Sequence, residues 1–340
     1  MKNIFNLTKQ DLEDYFLSIG EKKFKAIQVF EWLYEKRVFD ISLWSNIKKE
    51  IKVQIEQDFS FEMPKIMKRE SDALTEKYLI ECKDGERIEA VLMRHDYGNS
   101  VCISSQVGCN MGCAFCESGR LKKVRNLETY EMVCQILLIE ELLQERISSV
   151  VIMGIGEPLD NYENVLSFVK IINEAKGIAI GARHITLSTC GLIPKIEELM
   201  LVPLQINLAI SLHAPNDALR SQIMNVNKVY SLGPLIDVLK RYITHTNRRV
   251  TIEYVMLNNV NDRIEHAKEL ASLIKGMNVY VNLIPYNETN HLEFKKSTKE
   301  QIMKFYDCLK KNRINVTIRR EFGSKISAAC GQLRSKEVEK

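Results

Sequence analysis

Apolar side chains recur at helical spacing through the first 60 residues: in "KFKAIQVFEWLYEKR", Phe24, Ile27, Phe30 and Leu33 fall on one face. Short amphipathic helices are therefore predicted over 1–60, forming a small helical accessory domain. Over 61–97 the pattern turns extended. The runs "KYLIEC" and "RIEAVLMR" flank the turn signal "KDGE", which predicts a β-hairpin linking two domains. From 98 to 322 strand-like runs alternate with helix-like ones: "VCISS" then 129–146, "SVVIMG" then 162–175, "HITLST" then 193–200. The alternation continues with "INLAISL" and 232–244, "RVTIEYVM" and 263–275, "VYVNLIP" and 298–311, and ends on "NVTIRR". Six or seven β-α units imply an α/β fold with a parallel sheet wrapped by helices. A partial or complete β/α barrel is expected in preference to a flat doubly wound sheet, with residues 323–340 as a C-terminal segment.

Either architecture gathers ligands at the carboxyl ends of the strands. A cysteine-rich run follows the first strand, Gly154 to Glu157 follow the second, and Ser188 closes the third. His213 follows the fourth and Asn287 the sixth, so all are predicted to converge on one mouth.

Composition narrows the class. The 340 residues are 45% apolar and 27% charged, enough to bury a substantial core. No apolar run approaches the roughly 18 residues that span a bilayer, and "MKNIFNLTKQDLEDYF" lacks the features of a signal peptide, so a cytoplasmic location is expected. Nine cysteines without a secretory signal argue for reduced thiols rather than a disulfide framework. The balance of 48 Lys and Arg against 44 Asp and Glu gives a net charge of +4, which permits a nucleic-acid partner without demanding one.

The chemistry concentrates in "GCNMGCAFCESG", where Cys109, Cys113 and Cys116 form a C-x3-C-x2-C run. Three thiolates on a short loop suit three irons of a [4Fe-4S] cube and leave the fourth iron open. This spacing is the signature of radical S-adenosylmethionine enzymes, in which the methionyl amino and carboxylate groups chelate that iron. The alternative is a zinc site completed by Cys134 or His95. Phe115 fits an apolar shield for the cluster or ordinary core. In "MGIGEPL" the glycines allow close approach of a ligand, and Glu157 could accept from a ligand ammonium. Cys82, Cys134 and Cys308 read as packing, Cys190 stays open, and Cys330 in "AACGQL" has no periodic apolar face to bury it. Arg120, Lys122, Lys123 and Arg125 follow the cysteine run, and "TNRR" and "TIRRE" carry further charge near strand ends. Such clusters flanking the mouth would suit a polyanion.

Taken in order, "VCISSQVGCNMGCAFC", "MGIGEPLDN", "AISLHAPND", "VNLIPYN" and "AACGQL" resemble the RlmN/Cfr family of radical S-adenosylmethionine RNA methyltransferases, as do "FKAIQVFEWLYEKRV" and "IEAVLMR". The resemblance covers most of the chain. It implies a radical S-adenosylmethionine barrel of (β/α)6 type, one [4Fe-4S] cluster and two S-adenosylmethionine molecules per turnover. One molecule methylates the C-terminal cysteine, matched by Cys330. The other yields a 5′-deoxyadenosyl radical that takes hydrogen from the S-methyl group, and the resulting methylene radical adds to adenine. Cys102 would then resolve the protein–RNA adduct as a disulfide forms, with Glu89 as proton acceptor. The same resemblance assigns Gly156, Glu157, Ser188, Ser211, Leu212, His213 and Asn287 to S-adenosylmethionine, and the three cysteines to the cluster.

Pro158 after "GE" matches the carbon-2 branch of that family rather than the carbon-8 branch. The implied substrates are 23S rRNA, at the peptidyl-transferase centre, and tRNA, beside the anticodon. A flavodoxin-type electron donor and a monomer are expected, and no membrane partner. The chain departs from the family pattern at Lys325 and Ser327, where acids are usual, at Asn225 for proline and at Glu117 for a small residue. The departures leave two further readings: carbon-8 chemistry or another RNA target, and a non-enzymatic RNA-binding protein with a structural metal.

Overall fold

Residues 1–289, 291–320, 323, 326–328 and 331–333 are described by the computed structural model. The N-terminal helices are α1 (Lys9–Ser18), α2 (Phe24–Phe30) and α3 (Lys49–Asp58). Thr8 and Asp11 form a capping box that fixes the start of α1. Trp32 stacks on Trp44 with ring centroids 6.4 Å apart, and the Trp44 indole N–H donates to the Val38 carbonyl at 2.8 Å. This unit shares one continuous apolar core with the rest of the molecule. It also grips both ends of the barrel helix Thr129–Leu143: the Tyr130 N–H donates to Asn6 Oδ1 at 2.8 Å, and Arg37 pairs with the buried Glu140 at 2.7 Å.

Ten strands form one sheet. They are β1 (Lys65–Asp72), β2 (Thr75–Glu81), β3 (Arg87–His95), β4 (Gly98–Ile103), β5 (Ile147–Ile152), β6 (Ile185–Thr189), β7 (Asn207–Ser211), β8 (Val250–Met256), β9 (Val279–Pro285) and β10 (Val316–Ile318). Their order across the sheet is their order along the chain. Strands β1 to β4 pair antiparallel. From β4 to β10 every pairing is parallel. The crossovers carry α4 (Thr129–Leu143), α5 (Tyr162–Asn173), α6 (Ile193–Met200), α7 (Asp217–Ile223), α8 (Leu232–Thr246), α9 (Ile264–Leu273) and α10 (Lys299–Lys311). In α8 the buried Leu235, Ile236, Val238, Leu239 and Tyr242 make the stripe that a helix packed on a sheet requires. Among the described residues β1 and β10 are the two edges, so the barrel is partial.

The strands expected at 77–82 and 87–94 form, as β2 and β3, but not as a free-standing hairpin. A third strand, β1, precedes them, and all three continue the barrel sheet through the β3–β4 pairing. Strand β1 escaped notice because "KIMKRESD" is polar almost throughout, as suits an edge strand. In β2, Thr75, Glu76 and Lys77 are buried. Their charges are compensated: Glu76 meets Arg69 and Arg94, and Lys77 meets Glu70 at 2.9 Å and Glu89 at 3.3 Å.

Candidate active site

The loop after β4 brings Cys109, Cys113 and Cys116 to the wall of one cavity at the carboxyl end of the sheet. Its empty volume is about 950 Å³, which includes open solvent and suits a small-molecule site. Backbone bonds shape the loop: the Cys109 N–H donates to the Leu121 carbonyl at 3.1 Å and the Cys116 N–H to that of Cys113 at 3.2 Å. The Asn161 amide donates to the carbonyls of Ser105 and Leu127, both at 2.8 Å, and so ties the two ends of the loop together. Asn225 donates its amide to the Gly112 carbonyl at 3.2 Å. Phe115 is buried and sets its ring edge-on to His213 at 4.9 Å. Burial pushes the Cys109 thiol up to about 12 and the Cys113 thiol well above its ordinary value. Thiolates therefore require positive charge in this cavity.

The other strand ends meet the same cavity. Gly156 has φ +108, and a Cβ there would lie 2.6 Å from Gln106 Cβ. Glu157 is buried, and burial raises its carboxyl above the usual range. Its oxygens accept from the N–H groups of Leu159 at 3.0 Å and Cys190 at 2.8 Å. Ser188 and Ser211 place their hydroxyls 3.5 Å apart. Asn287 also lines the cavity.

His213, in the left-handed region at φ 59, uses Nδ1 to accept the Val255 N–H at 3.0 Å. Burial first, and then the Arg220 charge, push its imidazole down to about 3. Leu212 is fully buried, and its N–H donates to the carbonyls of Ile210 and Glu253 while its own carbonyl accepts from Arg220. Its assigned contact is thus not among the cavity-lining side chains.

Glu89 and Cys102 stand apart from this cavity, on the adjacent strands β3 and β4. Cys102 faces Val91 across the ladder, and Glu89 lies two positions from Val91 on the same face. Glu89 is buried, which replaces the plain reading of an exposed strand glutamate. Cys102 packs in one apolar cluster with Met93, Ile155, Ala328 and Leu333. Cys330 and Lys325 lie outside the described residues. Their neighbours do not: the Gly331 carbonyl accepts the Glu117 N–H at 2.8 Å, and the Leu333 carbonyl accepts from Ser118 Oγ at 2.8 Å.

The basic clusters are less available than the charge pattern suggests. Arg125 forms a two-pronged pair with Glu131 at 2.7 and 2.8 Å and meets Asp84 at 2.6 Å; Lys123 pairs with Asp160 at 2.7 Å. Arg248 and Arg249 immediately precede β8, at the end of the sheet opposite the mouth, which corrects their expected place. Of three further neighbours of the cavity, the sequence leaves Cys190 open and does not mark Glu253 or Arg220. Glu253 is buried in mid-strand with Asn282 Nδ2 at 2.9 Å, Cys190 lines the wall, and Arg220 is buried behind it. No spacing signal marks Glu253 or Arg220.

Two family models match the chain: Ribosomal RNA large subunit methyltransferase N-terminal domain over residues 2–60, and Radical SAM superfamily over 103–274. A "Probable dual-specificity RNA methyltransferase RlmN" of Enterococcus faecalis is 52% identical, covering 100% of this chain and 98% of its own. A protein of the same name from Spiroplasma citri is 49% identical, covering 99% and 98%. This chain belongs to the RlmN family. The crystal structure of a radical SAM methyltransferase from Sphaerobacter thermophilus superposes with a TM-score of 0.92 at 38% identity, covering 98% of this chain and 99% of that one.

A radical SAM member of the RlmN family implies a [4Fe-4S] cluster and S-adenosylmethionine. The cavity fits both. Three thiols share its wall, and close-packed glycine backbone and a buried carboxylate adjoin them. Among the described residues no three His, Cys, Asp or Glu are placed around a single metal ion.

Gly156→Ala is expected to weaken S-adenosylmethionine binding by at least tenfold and to disturb the contact with Gln106, read by equilibrium dialysis against the anaerobic holoprotein with a urea melt alongside. Unchanged binding removes Gly156 from the site. His213 is neutral when folded and takes up a proton near 6.5 when unfolded, so it lowers stability as pH falls from about 6.5 towards about 3. His213→Asn, tolerant of the left-handed backbone, is expected to flatten this acid limb in urea melts across that window.

Proposed function

We propose that this chain methylates carbon 2 of adenine in 23S rRNA and tRNA, through a methyl group carried on Cys330. One observation supports this beyond family membership. The residues flanking Cys330 along the chain bridge the two halves of the machinery: Ala328 packs with Cys102, and Gly331 accepts from the residue after Cys116. When bound, the cluster and S-adenosylmethionine supply a 5′-deoxyadenosyl radical by one-electron cleavage of the sulfonium. A radical route suits carbon 2 of adenine, an electron-poor amidine carbon that is a poor nucleophile.

The remaining chemistry belongs to the chain. Cys109, Cys113 and Cys116 hold the cluster. Glu157, fixed by two backbone N–H groups, accepts from the ammonium of S-adenosylmethionine, and Gly156 lets the backbone lie against it. Ser188, Ser211, His213 and Asn287 complete that site, with Leu212 as backbone support. Glu89 takes the proton released from carbon 2. Once the adduct radical has given up one electron to the electron-transfer partner, the Cys102 thiolate attacks the Cys330 sulfur. An S–S bond forms as the bond from that sulfur to the RNA-linked carbon breaks. That carbon keeps the bonding pair and takes up a proton to become the methyl group, after which an external thiol reductant returns the disulfide to thiols. A flavodoxin-type donor supplies the electron, and the protein works as a monomer in the cytoplasm.

Cys330→Ala is expected to abolish RNA methylation while iron and acid-labile sulfide stay at wild-type content. Normal turnover by this variant refutes the carrier assignment. Cys102→Ala is expected to accumulate a covalent protein–RNA species on denaturing gels. Mass spectrometry of rRNA and tRNA from a deletion strain tests the reaction as a whole: unchanged 2-methyladenosine in both pools removes the proposal.

A further inference from the structure

Arg220 is fully buried on α7. All five of its N–H groups meet neutral oxygens. Nε donates to the Leu212 carbonyl at 3.1 Å; Nη1 donates to Asn227 Oδ1 at 3.0 Å and the Tyr230 carbonyl at 3.2 Å. Nη2 donates to the carbonyls of Cys190 at 2.7 Å and Ser211 at 3.4 Å. Hydrogen bonding is complete, yet none of these partners carries a charge. Asp217, one turn earlier on the helix, is committed to Asn227 Nδ2 at 3.0 Å and the Leu232 N–H at 2.8 Å. Asp217 is exposed and meets Arg220 only through Asn227, so its charge is largely screened by solvent. A buried cation compensated so weakly costs on the order of several kcal/mol, so a second anion belongs nearby.

The packing indicates where. The Ile223 carbonyl at the end of α7 accepts the Ala114 N–H at 2.9 Å, from between the second and third cysteines. Leu219 and Ile223 share an apolar cluster with Cys113 and Cys116. Cys190, whose carbonyl Arg220 holds at 2.7 Å, lines the same cavity wall as Cys113.

We propose that Arg220 is the fixed counter-charge of the cluster held by the three cysteines, and that it raises the potential at which that cluster accepts an electron. The inference rests on the reading that Cys109, Cys113 and Cys116 bind [4Fe-4S]. Arg220 cannot act by gripping a ligand carboxylate, because its donors are spent on Asn227 and main-chain oxygens. It acts through space. Reduction adds one negative charge to an already anionic assembly, and a cation in low-dielectric surroundings stabilises the reduced form more than the oxidised one. Arg220 is thus a positioning residue, holding the loops after β6 and β7, and an electrostatic one.

The test is an anaerobic redox titration of the reconstituted holoprotein, followed by electron paramagnetic resonance, with dithionite as the one-electron reductant. Arg220→Met removes the charge, Arg220→Lys retains it, and Asn227→Asp, made together with Asp217→Asn so that no two carboxylates meet, brings a carboxylate to Nη1 without altering Arg220. Arg220→Met and the Asp217→Asn, Asn227→Asp double variant are expected to lower the reduced-to-oxidised ratio at fixed potential by tenfold or more, a negative shift of about 59 mV for one electron. Arg220→Lys is expected to stay within about threefold, roughly half that shift. Should Arg220→Met not fold, the double variant carries the decision alone. Potentials unchanged in the charge-altering variants overturn the inference, as does an Arg220→Lys shift equal to that of Arg220→Met. A wild-type protein without a reducible cluster removes the cofactor reading instead, a different result from an unchanged potential.

Discussion

The mouth of this barrel depends on two strand ends lying against each other with no side chain between them. A Cβ on Gly154 would meet the Ile103 carbonyl oxygen at 2.6 Å, and one on Gly156 would meet Gln106 Cβ at the same distance. Only glycine lets the backbone after β5 settle on the backbone after β4. That contact sets the rest. The Gly154 N–H donates to the Ile103 carbonyl at 2.9 Å, the Ile155 N–H to Ser104 Oγ at 3.0 Å and the Glu157 N–H to Gln106 Oε1 at 2.9 Å. The cysteine loop and the acid that adjoins it are held in one hydrogen-bonded seam.

Polar side chains dominate this seam because the backbone there is irregular and buried, and its N–H and C=O groups have no ladder to satisfy them. Gln135 of α4 reads both polar groups of Ser104, accepting its N–H at 2.9 Å and donating to its carbonyl at 3.0 Å. Ser104 Oγ in turn donates to the Glu89 carbonyl at 2.6 Å. Each such bond contributes about 1 kcal/mol net, while leaving one partner unsatisfied costs about 1–3 kcal/mol. The seam therefore tolerates few single substitutions. It also links the Glu89 strand to the loop that carries the thiols, so the two halves of the proposed chemistry are fixed in one frame.

The architecture was legible because it is written in period. Alternating apolar runs and helical stripes located every parallel strand from β4 to β10 and the helices between them except the short α7, since burying a sheet face demands that pattern. Glycine and cysteine spacing located the mouth. Strand β1 was not legible, being polar along its length, and its membership of the sheet shows only in cross-strand pairing. Charge patterns misled for the same reason. A run such as Arg120 to Arg125 reads as a free basic face, but its acids, Asp84, Glu131 and Asp160, come from other parts of the chain. Arg220 was invisible because its partners are mostly carbonyl oxygens, which every residue possesses.

The strand order follows the chain order, yet the hydrogen bond from Ser118 Oγ to the Leu333 carbonyl joins residues 215 positions apart. During vectorial synthesis the segment that covers the cysteine loop emerges long after the loop itself. Closure over the cysteine loop thus rests on a contact that only the C-terminal segment supplies.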